Sequence, residues 1–138
     1  EFSQTGAAYT KSDDIGYSYV EVDLSNQHVY LIVSGKLVTD SPCVTGCVKN
    51  GHGTPDGLYS VTYKESPSVL RGEDYETKVN FWMPFNRGIG LHDATWRDEF
   101  GGDIYYSGGS HGCVNLPYQK AAVIYENIYA GMPVICYY

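Results

Sequence analysis

Positive charge is scarce in this chain: nine Lys and Arg stand against sixteen Asp and Glu in 138 residues, for a net charge of −7. No basic cluster occurs, so neither nucleic acid nor an anionic membrane surface is expected as a partner. Long hydrophobic runs are missing too, since none approaches the roughly 20 residues of a spanning helix. No membrane contact by this domain is expected, and no signal-peptide pattern is present, so a leader, if the natural protein is exported, is expected to have been removed. The glycine-rich run Gly51 to Gly57 lacks the Gly-Lys-Ser/Thr ending that holds phosphate, which rejects a P-loop. None of the four cysteines forms a Cys-x-x-Cys pair. By ligand type alone His92, His111, Cys113 and Cys136 suit a metal; without that spacing the metal reading is set aside, and no cofactor is expected. Internal repeats and low-complexity segments are also lacking.

What is present is 43% hydrophobic residues, enough for one domain with one core, expected to be a monomer. Residues 1–16 show no periodicity and are read as an arm, with Glu1-Phe2 resembling a vector-joining remnant; the domain proper is taken as 17–138. The patterning is mainly β. Tyr17 to Asp23 alternates, Ser25-Asn26 turns, and His28 to Val33 is β-branched and aromatic. Ser34-Gly35 then links to Lys36 to Thr45, giving an antiparallel meander. Leu58 to Lys64, Glu76 to Pro84 and Gly88 to Asp93 follow as strands, with Ser66 to Asp74 a polar surface excursion. One principal helix spans Tyr118 to Tyr129, with Pro117 in its first turn, a partly apolar face of Ala122, Val123, Tyr125, Ile128 and Tyr129, and Gly131 as its stop. Pro133 to Tyr137 closes the sheet.

Chemistry concentrates between His92 and Asn115. A cysteine needs a base or a positive potential to become a thiolate. Cys113 lies just ahead of the expected helix, where free N–H groups and the dipole favour an anion. His92 or His111 takes its proton; His92 is the favoured base and His111 a helper. Neighbouring strand residues face opposite ways, so the bond that orients His92 is expected from a main-chain carbonyl rather than the Asp93 carboxylate. The N–H groups of Gly112 and Cys113 are candidates for an oxyanion hole, which makes acyl transfer the natural reaction. His28 reads as a solvent-facing strand residue and His52 as part of a glycine turn. Most of the fourteen tyrosines are expected in packing. With Cys113 free, Cys43, Cys47 and Cys136 allow at most one bridge. A Cys43–Cys47 bridge needs Thr45-Gly46 to turn the chain back, and buried free thiols are the preferred alternative.

His92, seventeen residues, then Ser110-His111-Gly112-Cys113-x-Asn115 resembles the signature of the L,D-transpeptidase catalytic domain. Gly46, Thr54-Pro55-Asp56-Gly57 and Gly131-Met132-Pro133-Val134 extend the resemblance over most of residues 17–138. It implies a mixed-sheet β-sandwich or barrel-like fold with one principal helix after the cysteine. It implies a bacterial, extracytoplasmic enzyme at the cell wall that acts on peptidoglycan stem peptides. Cys113 would attack the third residue of a donor tetrapeptide, expel D-alanine and pass the acyl group to a neighbouring stem, forming a 3-3 cross-link. Carbapenems are implied inhibitors. Ser110, Asn115 and Asp93 are expected to orient the site, with substrate contact open for the first two. Trp96, Arg97, Tyr105 and Tyr106 are candidates to line the donor cleft, Arg97 meeting a stem carboxylate. Val69 to Met83 is similar to the family's capping segment. Hydrolysis of the same acyl-enzyme, as in an L,D-carboxypeptidase, and a silent cell-wall-binding module are the alternatives.

Overall fold

A computed structural model describes residues 17–72 and 75–138, so the expected arm 1–16 and the end of the excursion at Glu73-Asp74 lie outside the described residues. Three strands open the chain: β1 (Tyr19–Asp23), β2 (His28–Val33) and β3 (Lys36–Pro42). They form the expected antiparallel meander. The Asp23 carboxylate builds the first turn by accepting bonds from Asn26 N at 3.0 Å and Asn26 Nδ2 at 2.8 Å. Then come β4 (Gly57–Ser60), β5 (Ser68–Arg71), β6 (Glu76–Val79), β7 (Trp82–Asn86) and β8 (Ile89–Asp93). Helix α1 (Ile104–Gly108), β9 (Val114–Leu116), helix α2 (Tyr118–Asn127) and β10 (Pro133–Tyr137) complete the order.

The strands make a mainly β, mixed arrangement. A five-stranded sheet runs β3-β2-β1-β10-β4, a three-stranded sheet β7-β8-β9, and β5-β6 is a separate hairpin. The last strand does not cap an edge. It lies between β1 and β4, parallel to β1, because its apolar Val134, Ile135 and Cys136 suit a central position. One core joins the sheets: Val20, Val22, Val29, Leu31 and Val134 face Met83, Leu91, Val114 and Leu116. Helix α2 closes it with Ala121 and Ile124, and Ile128 follows at the helix end. That stripe corrects the expected face, since Ala122 and Val123 are only half-buried and Tyr129 is half exposed. Spacing of three and four residues selects 121, 124 and 128.

Three further expectations change. The excursion after Ser66 contains a strand, because Ser68 to Arg71 pairs with Glu76 to Val79. The long strand Glu76 to Pro84 is broken at Asn80-Phe81, where the Asp93 carboxylate takes Asn80 N, Asn80 Nδ2 and Phe81 N, each at 2.8 Å. Charge-assisted bonds to three donors outcompete continued pairing and turn the chain from hairpin to sheet. His28 is not simply solvent-facing: its Nε2 lies 2.6 Å from Asp40 Oδ2 across β2 and β3.

Candidate active site

The site rests on a second length of chain, residues 43–54, laid against residues 110–115. Val44 and Asn115 exchange main-chain bonds at 3.0 and 2.8 Å, Ser110 N donates to Thr45 O, and Cys47 N donates to Ser110 O. Buried Gln27 fixes the outer side of this segment, bonding Thr45 N at 3.0 Å and Thr45 Oγ1 at 2.8 Å. Buried Thr54 fixes the inner side: its Oγ1 accepts from Gly46 N at 2.9 Å and donates to Gly112 O at 2.6 Å. The close approach demands glycine at 46, where a Cβ would stand 1.8 Å from His52 O. Cys43, Cys47 and Cys136 are buried free thiols, and no Cys43–Cys47 bridge forms. The chain runs on through residues 43–47 to pair with the Ser110 loop, so the turn a bridge requires is not made.

Cys113 is half-buried at the floor of a cleft of about 380 Å³ lined also by His92, Trp96, Arg97, Ser110, His111 and Asn115, with Leu70, Tyr75 and Thr77 from the hairpin. Its helix-start setting is corrected. Strand β9 intervenes, and α2 begins only at Tyr118; the dipole's influence fades within about one turn. Burial pushes the thiol up to about 11, against an opposing main-chain bond from Gly90. Cys113 therefore rests as a thiol, with Sγ 3.5 Å from Gly88 O, and to act as a nucleophile it needs a base. Gly112, at φ +130°, turns the chain into this position. Its N–H donates to Ser110 Oγ at 3.1 Å, so it is not aimed at an oxyanion as expected. Ser110 uses its hydroxyl to span the loop, donating to Cys113 O at 2.6 Å.

His92 is buried on β8, with its ring between those of Trp82 and Trp96, centroids 6.0 Å from each. Its Nδ1 lies 2.8 Å from Asp93 O. A carbonyl only accepts, so Nδ1 carries the proton and Nε2 keeps its lone pair. Burial lowers the His92 pKa below the usual imidazole value, outweighing the Asp93 carbonyl bond that raises it. Asn115 Nδ2 sits 3.2 Å from that Nε2. Asn115 Oδ1 in turn accepts from Arg97 Nε at 2.8 Å, and Arg97 Nη1 reaches Gly108 O at 3.0 Å.

His111 has a different setting. Its exposed ring stacks flat on Tyr75, 3° from parallel with centroids 5.3 Å apart, and meets His52 edge-on at 4.7 Å. It joins the hairpin to the cleft rim, and His52 is thereby part of the rim. The candidate cleft residues divide. Trp96 and Arg97 line the cleft, whereas Tyr105 and Tyr106 do not. They belong to α1, where Tyr106 is exposed and its carbonyl accepts from Lys49 N and Cys47 Sγ. A five-residue helix gives too weak a periodic signal to read among glycines. Thr54, Gly90 and Tyr75 escaped the sequence reading in their present roles, because each acts through a contact distant in the chain.

A family model of the L,D-transpeptidase catalytic domain matches residues 17–136. A search of curated protein sequences gave no match. Among solved structures, a mutant L,D-transpeptidase of Enterococcus faecium is 37% identical with TM-score 0.83, covering 89% of this chain and 50% of that one. The catalytic domain of E. faecium L,D-transpeptidase acylated by ertapenem is 37% identical with TM-score 0.79, covering 89% and 98%. An L,D-transpeptidase from Mycobacterium smegmatis is 26% identical with TM-score 0.73, covering 88% and 58%. The chain thus spans about half the length of the E. faecium protein and nearly all of its catalytic domain.

Proposed function

The chain belongs to the L,D-transpeptidase catalytic domain family, and from that premise we propose that it forms 3-3 peptidoglycan cross-links through a Cys113 thioester. One observation carries the reading. A neutral imidazole whose unprotonated Nε2 meets only the Asn115 amide shares a cleft with a thiol that needs a base. His92 Nε2 takes the Cys113 proton as sulfur bonds to the carbonyl carbon of the donor's third residue. The tetrahedral adduct collapses, the C–N bond breaks, and the departing D-alanine amine takes that proton from His92. An acceptor amine then attacks the thioester, giving its proton to His92, which returns it to the leaving thiolate. His111 assists by holding Tyr75 over the rim, Trp96 offers an apolar wall, and the Cys113 N–H supports the oxyanion.

A peptidoglycan substrate supports the reading of a bacterial domain that works outside the cytoplasmic membrane. The E. faecium relative acylated by ertapenem supports the same chemistry here: a carbapenem adds to Cys113 once per chain. The test is mass spectrometry of products from donor tetrapeptide with and without an acceptor stem. A cross-linked dimer with release of D-alanine supports transfer. Tripeptide alone with acceptor present replaces it with a carboxypeptidase, and no product and no carbapenem adduct replaces it with a binding module.

A further inference from the structure

Among the described residues that line the cleft, Arg97 is the only one of permanent charge, and none is an acid. Among the described residues its guanidinium has no carboxylate within ion-pairing distance, although the chain carries sixteen acids. It is half-buried, with Nε committed to Asn115 Oδ1 and Nη1 to Gly108 O. A partly desolvated guanidinium gains most from a planar carboxylate that it can grip with two donors.

The bond to Asn115 matters for His92. Arg97 Nε can only donate, so it dictates that Asn115 presents Oδ1 to the guanidinium and Nδ2 to His92. An N–H of Nδ2 pairs only with an unprotonated Nε2. Once His92 accepts a proton there, two N–H donors face each other, and the Asn115 amide must turn to offer its oxygen. It cannot turn while Arg97 holds that oxygen. Asn115 is buried, and its own main chain is tied at both N and O to Val44, so the side chain has to move rather than the strand. The Trp82 and Trp96 rings and the Asp93 carbonyl that also face His92 carry no charge, and the charges that act on it are the Asp93 carboxylate and Arg97 itself.

We propose that Arg97 is the cleft's carboxylate receptor and that a bound carboxylate, by competing with Asn115 Oδ1 for the guanidinium, releases the Asn115 amide and so allows His92 to accept the Cys113 proton. This rests on the acyl-transfer reading and deepens it. Arg97 reads the donor and Asn115 is a positioning residue that transmits the reading. Two donor groups have this chemistry, the terminal carboxylate of the leaving residue and a carboxyl along the stem.

Two measurements test it on the whole chain. The first needs no turnover: Cys113 alkylation by iodoacetamide, an uncharged probe, followed by mass in the parent protein and in Arg97→Gln, with circular dichroism as the folding check. With the Asn115 amide freed, Arg97→Gln is expected to react about threefold or more faster near neutral pH, and added acetate is expected to speed the parent but not the variant. An unchanged or slower rate in the folded variant overturns the coupling, because a purely supporting arginine would only slow the reaction on removal. Should Arg97→Gln not fold, Arg97→Met, which keeps an apolar stem but neither the charge nor the donors, takes its place with the same expectations. The second measurement compares kcat and KM for donors amidated at the terminus or along the stem. The amide at the recognised carboxyl is expected to lower kcat/KM of the parent about tenfold or more, partly in kcat, and that of Arg97→Gln hardly at all. Equal losses in both proteins overturn the receptor assignment. If the parent turns over no donor, the acyl-transfer reading fails while the alkylation result still decides the coupling.

Discussion

The two walls of the cleft are built differently. On one side the nucleophile loop is held by main-chain pairing with residues 44–47 and by the buried side chains Gln27, Thr54 and Asn115. On the other, the β5–β6 hairpin is a separate two-stranded unit. It presents Leu70, Tyr75 and Thr77 to the cleft, and Tyr75 is 43% exposed. Buried bonds left unmade are costly, about 1–3 kcal/mol for each orphaned group, so the first wall has one geometry. An exposed aromatic stack contributes only about 0.5–1.5 kcal/mol, so the second is far more easily displaced. The proposed chemistry sits on the wall fixed by buried bonds, and the wall held by an exposed stack is the one free to yield to the proposed substrate.

The sharpest contrast is at Cys113. Cys113→Ala is expected to abolish acyl transfer while leaving the fold intact, since the loop is held by its main chain and not by the thiol. Dimer formation measured beside circular dichroism checks it, and turnover by a folded mutant removes the nucleophile assignment.

The two histidines test which wall does the chemistry. His92→Ala is expected to slow single-turnover acylation about 100-fold or more, the range for losing a general base, and His111→Ala less than about tenfold. Burial holds the His92 pKa below the usual imidazole value, so the parent's acylation should persist as pH falls through about 6.5 and decline only at lower pH. The same sign applies to stability. The unfolded chain takes the proton first, so the contribution of a neutral buried His92 is complete above about 6.5 and is lost as pH falls through the lowered folded value. If His111→Ala does more damage, the roles are reversed.

Next in size is the frame itself. Thr54→Val keeps the shape of the side chain but strands Gly46 N and Gly112 O, and is expected to cost about 2 kcal/mol in urea unfolding. Thr77→Val on the hairpin is expected to stay within about 0.5 kcal/mol. Equal losses would erase the distinction between the walls. The smallest effect belongs to Tyr75→Ala, which removes the His111 stack: stability should fall by only about 0.5–1.5 kcal/mol, and KM for donor should rise about three- to tenfold with kcat nearly unchanged.

Much of this was legible locally. The meander showed because alternation and its two turns lie within about 26 adjacent residues, and His92 and Cys113, which line one cleft, stood out as a spaced motif. The main-chain bond to His92 was foreseeable from strand alternation alone. The helix-dipole account of Cys113 failed because β9 is only three residues long, too short to give a periodic signal. Tyr105 and Tyr106 were misplaced because α1 turns them out of the cleft, and no pattern among the glycines announces so short a helix.

By itself the sequence determined which chemistry is possible: a thiol, two imidazoles and the glycine that allows φ +130° just ahead of the thiol. These are properties of residue types, backbone preferences and spacing, and they survive without a partner. Only the tertiary structure decided protonation and position. The Cys113 thiol is pushed up by burial, His92 is tuned by burial and a carbonyl, and Asn115 is turned one way by Arg97. Those outcomes depend on which groups exclude water and which donors meet which acceptors, and both are set by chain segments that come together only on folding.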